Sequence, residues 1–181
     1  ATNTISVLRG NSNGTYKTAV SYATGGAVSE ILYFDADADT HEDIIGFDAA
    51  TGTIRFLKGN SDGTYNTAVS YVGGGAGSDI ALGDLNSDGA NDLVYVNTSA
   101  SGVTVRFGNA DGSFKSGSTV GTTAGPSSVT VRDFDGDSTL DLLVASGSGD
   151  SVEAFYNRGN GTYTTGQTYA VGVDPTEVQA T

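Results

Sequence analysis

The sequence predicts an all-β chain of β-propeller type, with blades of four antiparallel strands, about 49 residues per repeat and essentially no helix. Three features share the interval. Ala1-Thr2-Asn3-Thr4-Ile5 returns as Ala50-Thr51-Gly52-Thr53-Ile54. Gly10-Asn11-Ser12-Asn13-Gly14-Thr15-Tyr16 returns as Gly59-Asn60-Ser61-Asp62-Gly63-Thr64-Tyr65. It returns more loosely as Gly108-Asn109-Ala110-Asp111-Gly112-Ser113-Phe114, and shortened as Gly159-Asn160-Gly161-Thr162-Tyr163. Acidic windows begin at Asp35, Asp84 and Asp133, and both intervals are 49 residues.

Each unit reads as four short strands. In the third, Ser128–Val131 alternates, Leu140–Val144 does so more weakly, and Ser151–Tyr156 and Tyr163–Val171 are runs rich in Val, Thr and Tyr. The Asn-Gly and Asp-Gly pairs at 13–14, 62–63, 111–112 and 160–161 accept the positive φ of a tight turn, so the last two strands of each unit form a hairpin. Residues 1–30 then read as the outer strands of a partial blade. Blades follow at 31–72, 77–120 and 126–172, and 175–181 reads as the inner strand of a further incomplete blade. No window carries an apolar period of 3.6. A β-solenoid is the rival architecture, but its repeats are shorter and lack a tight hairpin in each turn. One blade cannot bury both faces alone, so three blades expose open faces that self-association or the remainder of a longer propeller chain would cover.

Composition narrows the function. Formal net charge is −13, and 12 of the 21 Asp and Glu residues lie within windows 35–43, 84–92 and 133–141. Eight Lys and Arg in an acidic chain make a poor surface for nucleic acid or an anionic membrane. No stretch approaches the roughly 18 consecutive apolar residues of a spanning helix, so membrane insertion is not expected. There is no Cys, hence no disulfide framework and no thiolate metal site. The opening Ala1-Thr2-Asn3-Thr4 has no signal pattern, as in a mature or excised piece.

The acidic windows carry the chemistry. Each places Asp-x-Asp/Asn-x-Asp-x-x-x-Asp between the first and second strands: Asp35, Asp37, Asp39 and Asp43; Asp84, Asn86, Asp88 and Asp92; Asp133, Asp135, Asp137 and Asp141. Oxygens at positions 1, 3, 5 and 9 wrap one cation, with a backbone carbonyl from position 7, which is His41, Ala90 or Thr139. All-oxygen ligation with flexible geometry favours Ca²⁺ over Zn²⁺ and Mg²⁺, giving about three ions, one per loop. Polar turns without metal are the plainer reading of one such loop, since Asp and Asn favour turns. Three copies in register favour metal.

These motifs bring a family into view. Val131-Arg132-Asp133-Phe134-Asp135-Gly136-Asp137 with Leu140-Asp141-Leu142-Leu143-Val144 resembles the FG-GAP/VCBS repeat. So does Leu82-Gly83-Asp84-Leu85-Asn86-Ser87-Asp88-Gly89 with Asn91-Asp92-Leu93-Val94, and the resemblance covers nearly the whole chain. The family includes the propellers of integrin α-subunits, seven-bladed fungal lectins and repeats of bacterial surface and secreted proteins. The resemblance implies a propeller with Ca²⁺ in the loops between first and second strands, secreted or at the cell surface. It does not imply one ligand. The family's Gly at loop position 6 survives only as Gly89, with Thr40 and Ser138 elsewhere. If that position needs positive φ, Thr40 is strained.

Catalysis is not expected. His41 is the only histidine, and each close pair of carboxylates belongs to an acidic loop. The leading expectation is a binding or adhesion module that recognises carbohydrate, as a lectin does, or protein. A purely structural, self-assembling repeat and an accessory domain of a secreted polysaccharide-active enzyme are the alternatives.

Overall fold

The protein, seen here as a computed structural model, is described over residues 3–122 and 125–179. Strands β1 (Thr4–Val7) and β2 (Val20–Ala23) pair alone. Three four-stranded antiparallel sheets follow, each with its strands in chain order. The first holds β3 (Glu30–Phe34), β4 (Asp43–Asp48), β5 (Thr53–Leu57) and β6 (Val69–Tyr71). The second holds β7 (Ile80–Gly83), β8 (Asp92–Asn97), β9 (Gly102–Arg106) and β10 (Ser118–Gly121). The third holds β11 (Pro126–Arg132), β12 (Asp141–Ser146), β13 (Ser151–Asn157) and β14 (Tyr163–Ala170). The all-β expectation holds. Among the described residues the only helical pieces are single 3-10 turns at Thr98–Ala100 and Gly147–Gly149. None is long and apolar enough to cross a membrane.

Burial explains the sequence of each strand. Every residue of β4 and β8 is buried, because neighbouring sheets cover both their faces. Such strands read as continuous apolar runs rather than alternating ones. Outer strands β2, β6 and β10 are mostly exposed and carry Ser, Thr, Val and Tyr. Between the first and second four-stranded sheets, Ile45, Phe47, Ile54 and Phe56 pack on Ile80, Leu93 and Tyr95. Between the second and third, Val94, Val96, Val103 and Val105 pack on Val129, Leu142 and Val144. Ile5 of β1 packs with Ile44 and Leu57, and Tyr22 meets Tyr65 edge to face at 5.3 Å. Each apolar side chain removed from water here contributes about 1.5–3 kcal/mol.

Polar bonds tie consecutive sheets at their inner ends. Ser78 Oγ donates to the Ser127 carbonyl at 2.7 Å, and Asp79 Oδ2 accepts from Ser128 Oγ at 2.7 Å and Val129 N–H at 3.0 Å. The hairpin turns hold Gly14, Gly63, Gly112 and Gly161 at positive φ, the conformation for which glycine was expected. The inner strand expected over 175–181 is not formed across 175–179, while residues 180 and 181 lie outside the described part. Val178 N–H donates to Ser128 Oγ at 3.2 Å and the Pro175 carbonyl accepts from Ser127 Oγ at 2.6 Å. Side-chain hydroxyls hold the segment where a ladder needs a backbone partner.

Candidate metal centres

Each acidic loop closes a strand pair at the same register. The ladders end at Phe34↔Asp43, Gly83↔Asp92 and Arg132↔Asp141, so position 9 of each loop is the first residue of the following strand. That side chain is fully buried in all three loops, at 0 % exposure. Its two oxygens accept one amide from within the loop and one from the end of the third strand of the sheet or just beyond it. Asp43 takes Ala36 N–H at 2.8 Å and Gly59 N–H at 2.7 Å. Asp92 takes Leu85 N–H and Gly108 N–H, both at 2.8 Å. Asp141 takes Phe134 N–H at 3.0 Å and Asn157 N–H at 2.8 Å. Gly59 and Gly108 are glycine because a Cβ there would collide with the carbonyl oxygens of Glu42 and Asn91. Burial pushes all three carboxyls above the ordinary range, against the pull of those amides, and neighbouring loop acids raise them further.

Position 1 shapes the loop. Asp35 accepts from the amides of Asp39 and Thr40, Asp84 from Asp88 and Gly89, and Asp133 from Gly136 and Ser138. Position 5 turns back on position 7: Asp39 accepts His41 N–H, Asp88 accepts Ala90 N–H, and Asp137 accepts Thr139 N–H, at 2.8–2.9 Å. These bonds hold the Asp88 and Asp137 carboxyls below the usual range, the Ala90 amide leading for Asp88 and the Thr139 hydroxyl for Asp137. Position 3 differs between loops. Asn86 Oδ1 and Asp135 Oδ1 each accept the position-5 N–H, from Asp88 at 2.9 Å and from Asp137 at 3.1 Å. Asn86 Nδ2 also donates to Asp88 Oδ2 at 3.0 Å, and Asp37 makes no backbone bond among the described residues. The His41 imidazole lies against Asp39 Oδ1, at 2.9 Å from Nδ1.

Two loops gather carboxylate oxygens within 4.8 Å of one another: Asp35, Asp37 and Asp39 in the first, Asp133, Asp135 and Asp141 in the third. The second has Asn86 where the others have a carboxylate. Asp37 Oδ1 is buried without a partner, and its side chain is 3 % exposed. An orphaned buried carboxylate oxygen beside two more carboxylates fits a hard divalent cation. The donor set is oxygen throughout.

The backbone explains the loop glycines. Position 6 has positive φ in every loop, with Thr40 at 74°, Gly89 at 85° and Ser138 at 72°. Position 4 does too, with Ala38 at 58°, Ser87 at 59° and Gly136 at 82°. The second and third loops thus each place one glycine at a left-handed position, and the first places none. A non-glycine residue there costs about 1–2 kcal/mol, and a β-branched one more. Thr40→Gly should therefore raise the unfolding temperature by about 2–4 °C after allowing for glycine's entropy. A thermal melt in EDTA checks this, and an unchanged or lower midpoint would overturn the strain at Thr40.

Residues 84–144 match the FG-GAP-like repeat. The FG-GAP-like segment runs from the first acid of the second loop to Val144 in β12, so it contains the second and third acidic loops whole. The first loop lies outside it. No curated protein matches the chain. The motifs around Asp84 and Asp133 are thus the ones that identify the repeat, and the matched stretch is narrower than the whole-chain resemblance expected.

Sequence reasoning missed three partners of these loops. Gly59 and Gly108 open the Gly-Asn-x-Asp-Gly-Thr/Ser-aromatic motif and were legible only as hairpin residues, whereas their amides also brace the acidic loop of the same sheet. Lys58, whose Nζ contacts Asp37 and Asp39, had no repeat signal, because Arg9, Phe107 and Tyr156 occupy the equivalent positions.

Proposed function

We propose that the chain is a calcium-stabilised module of β-propeller type that serves recognition outside the cell rather than catalysis. The observation that carries this reading is the acidic loop itself, repeated at the same strand junction of three successive sheets with the same bracing bonds. The FG-GAP-like match supports the extracellular setting, since such repeats occur typically in extracellular proteins. Ca²⁺ would neutralise carboxylates that otherwise repel, and a bound ion would act as a staple between the first two strands of its sheet. A cleft of about 200 Å³ beside the first loop joins Tyr33 and Tyr65 with Arg9 and Asn60. Aromatic faces beside hydrogen-bonding groups suit a sugar ring. A glycan array read in calcium tests this, and silence across the array removes the carbohydrate arm.

A second reading, a self-assembling structural repeat, is favoured by one surface. Ile31 and Tyr33 of β3 are 51 % and 63 % exposed, yet the residues equivalent to Ile31 in the next two sheets, Ile80 and Val129, are 5 % and 4 % exposed. Within the molecule, the preceding sheet covers that position. The matching free face belongs to the last sheet, where Leu143 and Val152 are half-buried while their equivalents Val94 and Val103 are fully buried against a neighbour. The face of β11–β14 in a second copy would thus cover Ile31 and Tyr33. Light scattering should report a mass above the 18.3 kDa of one chain, falling to it in Tyr33→Glu. A monomer for the unsubstituted chain would sink the assembly reading.

A further inference from the structure

The carboxylates of the first acidic loop already have a cation of the protein's own. Lys58 follows β5, and its Nζ contacts Asp37 Oδ2 and lies 2.9 Å from Asp39 Oδ2. The Asp37 side chain is 3 % exposed, so the ammonium reaches the floor of the loop and is not a solvent-side pair of small worth. Asp35, Asp37 and Asp39 converge there, with oxygens within 4.8 Å of one another. A divalent ion needs those same oxygens, and two cations cannot share that space. The other loops have no ammonium in contact, and Lys115 acts on Asp88 of the second loop only from beyond contact distance. Phe107 and Tyr156 stand where Lys58 stands, and among the described residues no Lys or Arg comes within 4.0 Å of an acid of the second or third loop.

We propose that Lys58 is the resident cation of the first loop, so that calcium enters the second and third loops only. The inference rests on the calcium reading of the loops and separates them from one another. The lysine leaves the first loop incomplete, because one ammonium satisfies Asp37 Oδ2 while Asp37 Oδ1 stays buried without a partner. Removing the ammonium should open a third calcium site rather than a void.

The experiment is calcium titration by calorimetry, with ion counts from native mass spectrometry, on the unsubstituted chain and Lys58→Met. The apolar stem of Met replaces that of Lys, which is 33 % exposed, and the charge alone is lost. Two ions in the unsubstituted chain and three in Lys58→Met are expected. Three ions in the unsubstituted chain would overturn the role of Lys58 while leaving the calcium reading intact. Two ions in both would overturn it as well, since the first loop would then be idle for another cause. No ion in either would end both. A second readout does not depend on the other loops: in EDTA, Lys58→Met should melt several degrees below the unsubstituted chain, and calcium should restore it. A melt in EDTA unaffected by the substitution would overturn the proposal.

Discussion

Millimolar calcium should raise the unfolding temperature of this protein by about 10–20 °C over the same protein in EDTA. The magnitude follows from mass action. An ion that binds only the folded state at a hundred times its dissociation constant stabilises by about 2.7 kcal/mol, so two filled loops contribute about 5 kcal/mol. In a chain of this length each kcal/mol moves the midpoint by about 2–4 °C. The sign follows from the loops. Asp133, Asp135 and Asp141 hold oxygens within 4.8 Å of one another, and without a cation their charges repel. Magnesium at equal concentration should give a smaller shift, because it keeps its water more tightly than these flexible loops can replace it. Superimposable melting curves in EDTA and calcium would remove the metal from the fold altogether.

Asp92→Ala should cost about 3–5 kcal/mol even in EDTA, while Asp88→Ala should cost little until calcium is added. The two residues sit four apart in one loop, but their bonds differ. Asp92 is fully buried and accepts two amides, from Leu85 and Gly108, that have no water to turn to once the carboxylate is gone. Each buried, unsatisfied amide costs about 1–3 kcal/mol, and relief from burying the charge offsets part of the total. Asp88 is exposed and its bond to Ala90 N–H is only part-buried, so its loss leaves an amide that water reaches more readily than those under Asp92. Chemical denaturation of both variants, with and without calcium, separates brace from ligand. Equal losses in EDTA would show that position 9 has no bracing role of its own.

The β-rich fold was legible because its signals are periodic and local. Asn-Gly and Asp-Gly pairs mark turns whatever surrounds them, and the third sheet was readable strand by strand, to within about two residues at each end. What was not legible depended on contacts far apart in sequence. Nothing near Ile31 announces its exposure, since Ile80 and Val129 are equally apolar and buried. The failure of 175–179 to form a strand is of the same kind, because a ladder requires a backbone neighbour that local sequence cannot supply. At the loops, the order of acids identified the candidate ligands but not their division of labour. Position 9 looks like positions 1, 3 and 5 on paper, and only its burial and its pair of amide partners set it apart. The strain at position 6 was legible from the missing glycine, whereas the second left-handed residue, at position 4, was hidden because Ala38 and Ser87 give no hint of it.

The stacking of the sheets bears on how such a gene can change. Each interface joins equivalent positions: Ile45, Phe47, Ile54 and Phe56 meet Leu93 and Tyr95 at one junction, and Val94, Val96, Val103 and Val105 meet Leu142 and Val144 at the next. A recombination event that duplicates or removes one whole unit therefore creates no new kind of junction, because the sheets brought together present the faces they presented before. Side chains across a junction can drift together, as aromatic rings at the first have given way to valines at the second, without disturbing the junction beyond. An unequal crossover out of phase would instead set two outer strands or two inner strands side by side and strand a half-built loop. Length is thus free to vary in steps of one unit, and selection can act on the number of units separately from the chemistry within each.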